Sequence, residues 1–112
     1  MKFGVDELSS TVTKVTLSGR LDMDHSEEID ERFAEITENS AKHLIVDMSE
    51  VKFIASIGIR TLVTSAKTLK KQGKKMLLLR PQGSVEKVLD IAGITAVIPV
   101  FGEEASALSE LE

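Results

Sequence analysis

Residues 47–62 read Asp47-Met48-Ser49-Glu50-Val51-Lys52-Phe53-Ile54-Ala55-Ser56-Ile57-Gly58-Ile59-Arg60-Thr61-Leu62. Two patterns meet here. The run His43-Leu44-Ile45-Val46-Asp47-Met48 is short, apolar and bounded, as a buried strand is. From Ser56 onward, Ile59, Leu62, Val63, Ala66 and Leu69 recur at three and four, which is one face of a helix. Gly73 stops it. Ser49 to Ile54 reads as the connection between them. A buried strand that feeds a helix belongs to the α/β class.

The flanking sequence repeats the alternation. Upstream, Thr11 to Gly19 is rich in β-branched residues and alternates as a half-exposed strand does, with Gly19 closing it. Lys2 to Leu8 is a weaker strand, joined to it by a turn at Ser9-Ser10. Asp24 and Glu27 form a capping-box pattern, and Ile29, Phe33 and Ile36 supply the stripe of a helix ending near Asn39-Ser40. Downstream, Lys75 to Leu79 is a strand closed by Arg80-Pro81. Ser84 or Val85 to Ala92 is a short helix, with Gly93 in the left-handed cap position and Ile94 as its apolar contact. Ala96 to Phe101 reads as a last strand at a sheet edge, because Pro99 lacks a donor. Glu103 to Leu111 is a weak helix. Strands separated by helices pair in parallel through right-handed crossovers. The expectation is one domain over residues 1–112, with a mixed sheet of four to five strands and about four helices.

Composition narrows the function. A chain of 112 residues is enough for one domain and too short for two. Net charge is −4, with four Phe and neither Trp nor Tyr. An acidic chain without stacking platforms is a poor nucleic-acid binder. Lys67, Lys70, Lys71, Lys74 and Lys75 form one basic run, read as the solvated, dipole-complementing end of a helix in preference to a patch for an anionic partner. Cysteine is absent, which excludes disulfides, thiolate metal sites and thiol catalysis and fits a cytoplasmic location. No apolar stretch approaches the ~18 residues of a membrane helix, and the first residues form no signal region. No nucleophile–base arrangement and no phosphate loop is present, so no catalytic turnover and no cofactor are expected. Asp22, Asp24 and His25 match metal-ligand spacing only loosely, and capping accounts for Asp24.

Ser56 carries the functional question. At a helix start its hydroxyl can cap free amides. The same place suits a phosphate, because the dipole's positive end and unpaired donors favour an anion there. Phosphate would add roughly −1.5 to −2 charges without melting the helix. Gly58 costs a helix around 1 kcal/mol relative to alanine, a cost explained if another chain approaches the backbone there. Ile57 is expected to be exposed and, beside Ser56, to form part of a docking surface.

Two segments, Gly19-Arg20-Leu21-Asp22 and Asp47 to Leu62, resemble the STAS domain of bacterial anti-sigma factor antagonists and sulfate transporter tails. The resemblance runs over nearly the whole chain in length and element order. It implies the STAS fold. It also implies that Ser56 is phosphorylated by a partner that is both anti-sigma factor and serine kinase, with binding before phosphorylation and release after it. Asp22 would support that contact. Partner-binding positions under this reading are Asp22, Ala55, Ser56, Ile57, Gly58 and Arg60. Ala55 replaces an aspartate common in such antagonists. Arg60 replaces a common glycine and, one turn from Ser56, could pair with a phosphate. Weak homodimerisation is left open.

Two other readings stand beside this one. A STAS protein can be an unphosphorylated subunit of a lipid-transport ABC complex or of a stress-signalling scaffold, which Ala55 favours. An aspartate-phosphorylated receiver domain would use Asp47, but it needs an early acidic pair for magnesium and a late lysine, and both are missing. Asp47 is instead expected to be a turn residue that accepts backbone hydrogen bonds from Ser49 to Val51.

Overall fold

The computed structural model describes residues 1–38 and 42–111. Five strands form one sheet in the order β1(Lys2–Glu7), β2(Val12–Leu21), β3(His43–Ile54), β4(Met76–Leu79) and β5(Val100–Phe101). β1 pairs antiparallel with β2, and every later pair is parallel. Helices α1(Ser26–Thr37), α2(Ser56–Lys71) and α3(Gly83–Ile91) make the crossovers, and α4(Glu104–Leu111) follows β5. This is the mixed α/β architecture expected from the alternating patterns, with β5 at the edge where Pro99 placed it.

The apolar residues divide between two faces. The larger core joins Val15, Leu17, Val46, Met48 and Leu78 of the sheet to Ile29 and Phe33 of α1, Leu62 and Leu69 of α2, and Val85 and Leu89 of α3. Phe33 is fully buried and meets Phe3 of β1 edge to face, 5.6 Å between centroids. Phenylalanine burial of this kind is worth about 3–5 kcal/mol on truncation to alanine. The second core is smaller and lies under α4, where Val12, Ile45, Leu77 and Leu79 meet Ala107. Val12 is therefore buried, and β2 is less exposed than its alternation predicts.

Several boundaries differ from the sequence reading. β2 does not end at Gly19. That glycine lies inside the strand at φ 118°, beside a register shift between Gly19 and Arg20. The bulge lets β2 continue to Leu21 and gives the second half of β3 a partner, so Ser49 to Ile54 is strand rather than connection. α1 begins after His25, not Asp24, and no side chain caps it. The expected end of this helix near Asn39-Ser40 lies outside the described residues. The last strand is only Val100–Phe101, because Gly93, left-handed at φ 76°, starts a 3₁₀ turn over Ile94–Ala96. Ile94 is buried behind that cap as the motif requires.

Asp47 sits within β3 rather than in a turn. It accepts the Ser49 amide at 2.9 Å and lies 3.6 Å from Lys14 and 3.8 Å from Arg80. Lys14 also donates to Glu104 of α4 at 2.6 Å. Burial pushes the Asp47 carboxyl up, but the Ser49 hydrogen bonds and the two cations outweigh it and hold it below the usual carboxylate range. The network ties α4 to the strands beneath it.

Candidate functional site

The strand-to-helix junction is built by β2 and β3 together. Both strands run through the bulge and end side by side, with Leu21 paired to Ile54. The Ala55 amide then donates to the Leu21 carbonyl at 2.9 Å. Ala55 itself is extended, at φ −98° and ψ 171°, and its carbonyl accepts the Gly58 and Ile59 amides at 2.9 and 3.2 Å. Ala55 is thus the N-cap of α2, and Ser56 is its first helical residue. Methyl-bearing Ala55 has no oxygen to offer, so no side chain caps the helix. The capping role expected for Ser56 is not what the structure has. Ser56 is exposed and stands one position too late to cap.

Gly58 is buried, and its close neighbour is internal. A Cβ there would lie 2.9 Å from Leu21 Cβ, 3.1 Å from the Leu21 carbonyl oxygen and 3.1 Å from Ile54 Cγ1. The approach ascribed to another chain is made by the end of β2. Gly58 lets α2 start directly on that strand. Ile57 is half-buried rather than exposed. The exposed apolar side chains of the junction are Phe53, at 40%, and Met23, at 78%. Arg60 is exposed on α2, one turn from Ser56, beside a groove between α1 and α2. Within that groove, the Thr61 hydroxyl donates to the Asp30 carboxylate.

Asp22 follows Leu21 and so flanks the helix start. Its carboxylate bonds to His25 Nδ1 at 2.7 Å and lies 3.4 Å from Arg20 Nε. The His25 hydrogen bond, assisted by Arg20, holds Asp22 below the usual carboxylate range. Arg20 also stacks on Phe53, 4.3 Å from its centroid, a cation–π contact. The structure therefore brings Asp22, Ala55, Ser56, Ile57 and Gly58 to one junction. The sequence reading missed Arg20 and Phe53 as a stacked pair and His25 as the partner of Asp22. The first has no spacing signal, since the two residues meet only across the β2–β3 pairing. The His25 contact follows from the three-residue separation within a turn.

First helical turns without an acid or a cap keep the positive end of the dipole uncompensated. Fold and junction together define a small mixed α/β domain with an exposed hydroxyl at an uncapped helix start. The chain belongs to the STAS domain family, whose sequence model matches residues 5–107. It is 27% identical over 99 residues to the anti-sigma F factor antagonist of Paenibacillus polymyxa, covering 88% of this chain and 85% of the relative. Two solved structures have the same fold. SpoIIAA in its unphosphorylated form matches with a TM-score of 0.80 and 20% identity over 95% of this chain and 93% of that one. The Bacillus cell fate determinant SpoIIAA in its phosphorylated form matches with a TM-score of 0.76 and 19% identity over 99% of this chain and 100% of that one. Among the described residues, no helix is long and apolar enough to cross a membrane.

Proposed function

We propose that this chain is an anti-sigma factor antagonist of the cytoplasm, switched by phosphorylation of Ser56. The observation that carries the reading is the state of that hydroxyl: exposed, on the first residue of α2, and not engaged in a side-chain cap. A kinase can reach it without unfolding the helix. Phosphate placed there would meet the positive end of the dipole and the unpaired amides of the first turn, so the fold should tolerate it. The effect falls on the surface instead. Two added charges beside Asp22 would repel an acidic partner surface and desolvate badly against an apolar one.

The partner is an anti-sigma factor with serine-kinase activity, bound before phosphorylation and released after it. Its footprint centres on Ser56 and takes in Asp22, Ala55, Ile57 and Arg60, with Gly58 setting the backbone beneath them. Phe53 and Met23 add exposed apolar area next to this patch. Likeness to an anti-sigma F factor antagonist at 27% identity supports the same reading.

Phosphopeptide mass spectrometry on the protein purified from its own host tests it. The expected result is phosphate on Ser56, in an occupancy that changes with growth condition. A chain never modified there under any condition would instead be a fixed, unswitched subunit, the role that Ala55 favours.

A further inference from the structure

At the other end of α2 the molecule has a second feature, independent of Ser56. A groove of about 540 Å³ opens between the C-terminal half of α2, β4 and the 3₁₀ turn leading to β5. Its floor and far wall are apolar, formed by Val63, Ala66, Met76, Ile98 and Val97. Val97 is 71% exposed. Lys67, Lys70, Lys74 and Lys75 border it, with Glu110 as the one acid. Val63, Ala66, Lys67 and Lys70 stand at i, i+3, i+4 and i+7, so one side of α2 supplies both apolar wall and cations, and Lys74 and Lys75 follow just beyond its end.

The charge is concentrated. Residues 51–85 hold Lys52, Arg60, Lys67, Lys70, Lys71, Lys74, Lys75 and Arg80 and no acid at all, in a chain whose net charge is −4. Complementing a helix dipole takes about half a charge, which Lys70 and Lys71 of the last turn already supply. Lys67, Lys74 and Lys75 are surplus to that task. None of the five lysines of the run has a carboxylate within ion-pair distance among the described residues. Their field reaches His43, whose Nδ1 accepts the Lys75 amide at 3.0 Å. Burial first, then Lys74 and Lys75, push its pKa down.

We propose that this groove binds a free single-chain amphiphile with an anionic head, such as a long-chain carboxylate or an alkyl phosphate, its chain on the apolar floor and its head at the lysine rim. The volume falls within the roughly 300–1,000 Å³ of small-molecule sites, and the composition is the usual one, an apolar lining with a few orienting polar groups. Unpaired lysines supply the complementary charge. The apolar surface is concave, so a flat bilayer could not reach its floor, and the free molecule is the occupant that fits.

The test uses dodecanoate and dodecyl phosphate below their micelle-forming concentrations, followed by amide shifts in NMR titrations. Dodecyltrimethylammonium is the cationic control. Both anions should bind saturably, with shifts at Val63, Ala66 and Val97, and the cation at least tenfold more weakly. Lys70→Glu/Lys74→Glu should weaken dodecanoate at least tenfold, and Val97→Asp should weaken it as well. These positions are at the surface or at its edge, and circular dichroism checks that the variants fold. Ser56→Asp should leave binding unchanged, which separates this site from the switch. Absence of saturable binding, equal affinity for the anion and the cation, or indifference to the lysine reversals would overturn the proposal. So would shifts confined to the α1–α2 groove, or binding to anionic phospholipid vesicles with none to monomeric dodecanoate.

Discussion

Gly58→Ala sets two physical effects against each other, and the structure decides which wins. Replacing a glycine inside a helix by alanine normally stabilises by about 1 kcal/mol. At Gly58 the new methyl would lie 2.9 Å from Leu21 Cβ and 3.1 Å from the Leu21 carbonyl oxygen. Neither atom is the end of a flexible side chain. The Leu21 carbonyl is also held by the Ala55 amide at 2.9 Å, so it cannot swing away without breaking the bond that joins β2 to the helix start. Overpacking of this kind costs about 1–3 kcal/mol. The net expectation is a loss of about 1 kcal/mol, read as a fall of about 4 °C in Tm. Gly83→Ala is the control. Gly83 opens α3 with nothing within 4 Å of its would-be Cβ, and the substitution should stabilise by about 0.5 kcal/mol. Thermal unfolding by circular dichroism measures both. A Gly58→Ala protein more stable than the parent would refute the account of how α2 is seated on β2.

Three further outcomes follow from the same contacts. Ser56→Asp should leave the fold intact and raise stability by about 0.3–1 kcal/mol at low ionic strength, because the first turn of α2 has no acid; a destabilised variant in chemical denaturation would contradict the exposed placement of Ser56. Asp47 has a folded pKa held below the usual carboxylate range, so its contribution is complete above the unfolded pKa and is lost as pH falls through the folded one. Asp47→Asn should therefore flatten the acid limb of a stability–pH curve below about pH 4, and an unchanged slope there would dismiss the network with Lys14 and Arg80. Lys14 is raised above 10.5 by Glu104; its contribution holds below that value and fades as pH rises through the folded pKa, and Glu104→Gln should remove the alkaline loss.

The element order was legible in the sequence because each helix carries its own stripe and each central strand its own apolar run. Ile29 and Phe33, or Leu62 and Leu69, face the core at the spacing that identifies them. The boundaries were less so where pairing overrides local pattern. Ser49 to Ile54 has two charged residues and loses its strict alternation, yet it is strand because the bulge at Gly19 keeps β2 alongside it. Of β3, only Leu44 to Asp47 pairs with β4, so this second half is a two-stranded ribbon without the continuous burial that marks an inner strand. A glycine after a strand pattern can end the strand or bulge it, and Gly19, at φ 118°, bulges β2 here.

At the site, the position of Ser56 at the start of α2 was readable, and its exposure was not. Capping preferences favour a serine oxygen just before the first turn, but β3 continues past its apolar run through Ile54 and leaves Ala55 in that place. The same shift half-buries Ile57 and turns Phe53 outward under Arg20. Gly58 was recognisable as a point of close approach, while the identity of the neighbour needed the strand pairing of Leu21 with Ile54.

The most direct test of the switch is a quantitative pull-down from the native host with wild type, Ser56→Ala and Ser56→Asp as baits. The account predicts that Ser56→Ala retains a partner with a serine-kinase domain at least as well as wild type, and that Ser56→Asp loses it by tenfold or more. Equal recovery of the same partners by both variants would contradict it, and would leave Ser56 as an ordinary first residue of α2.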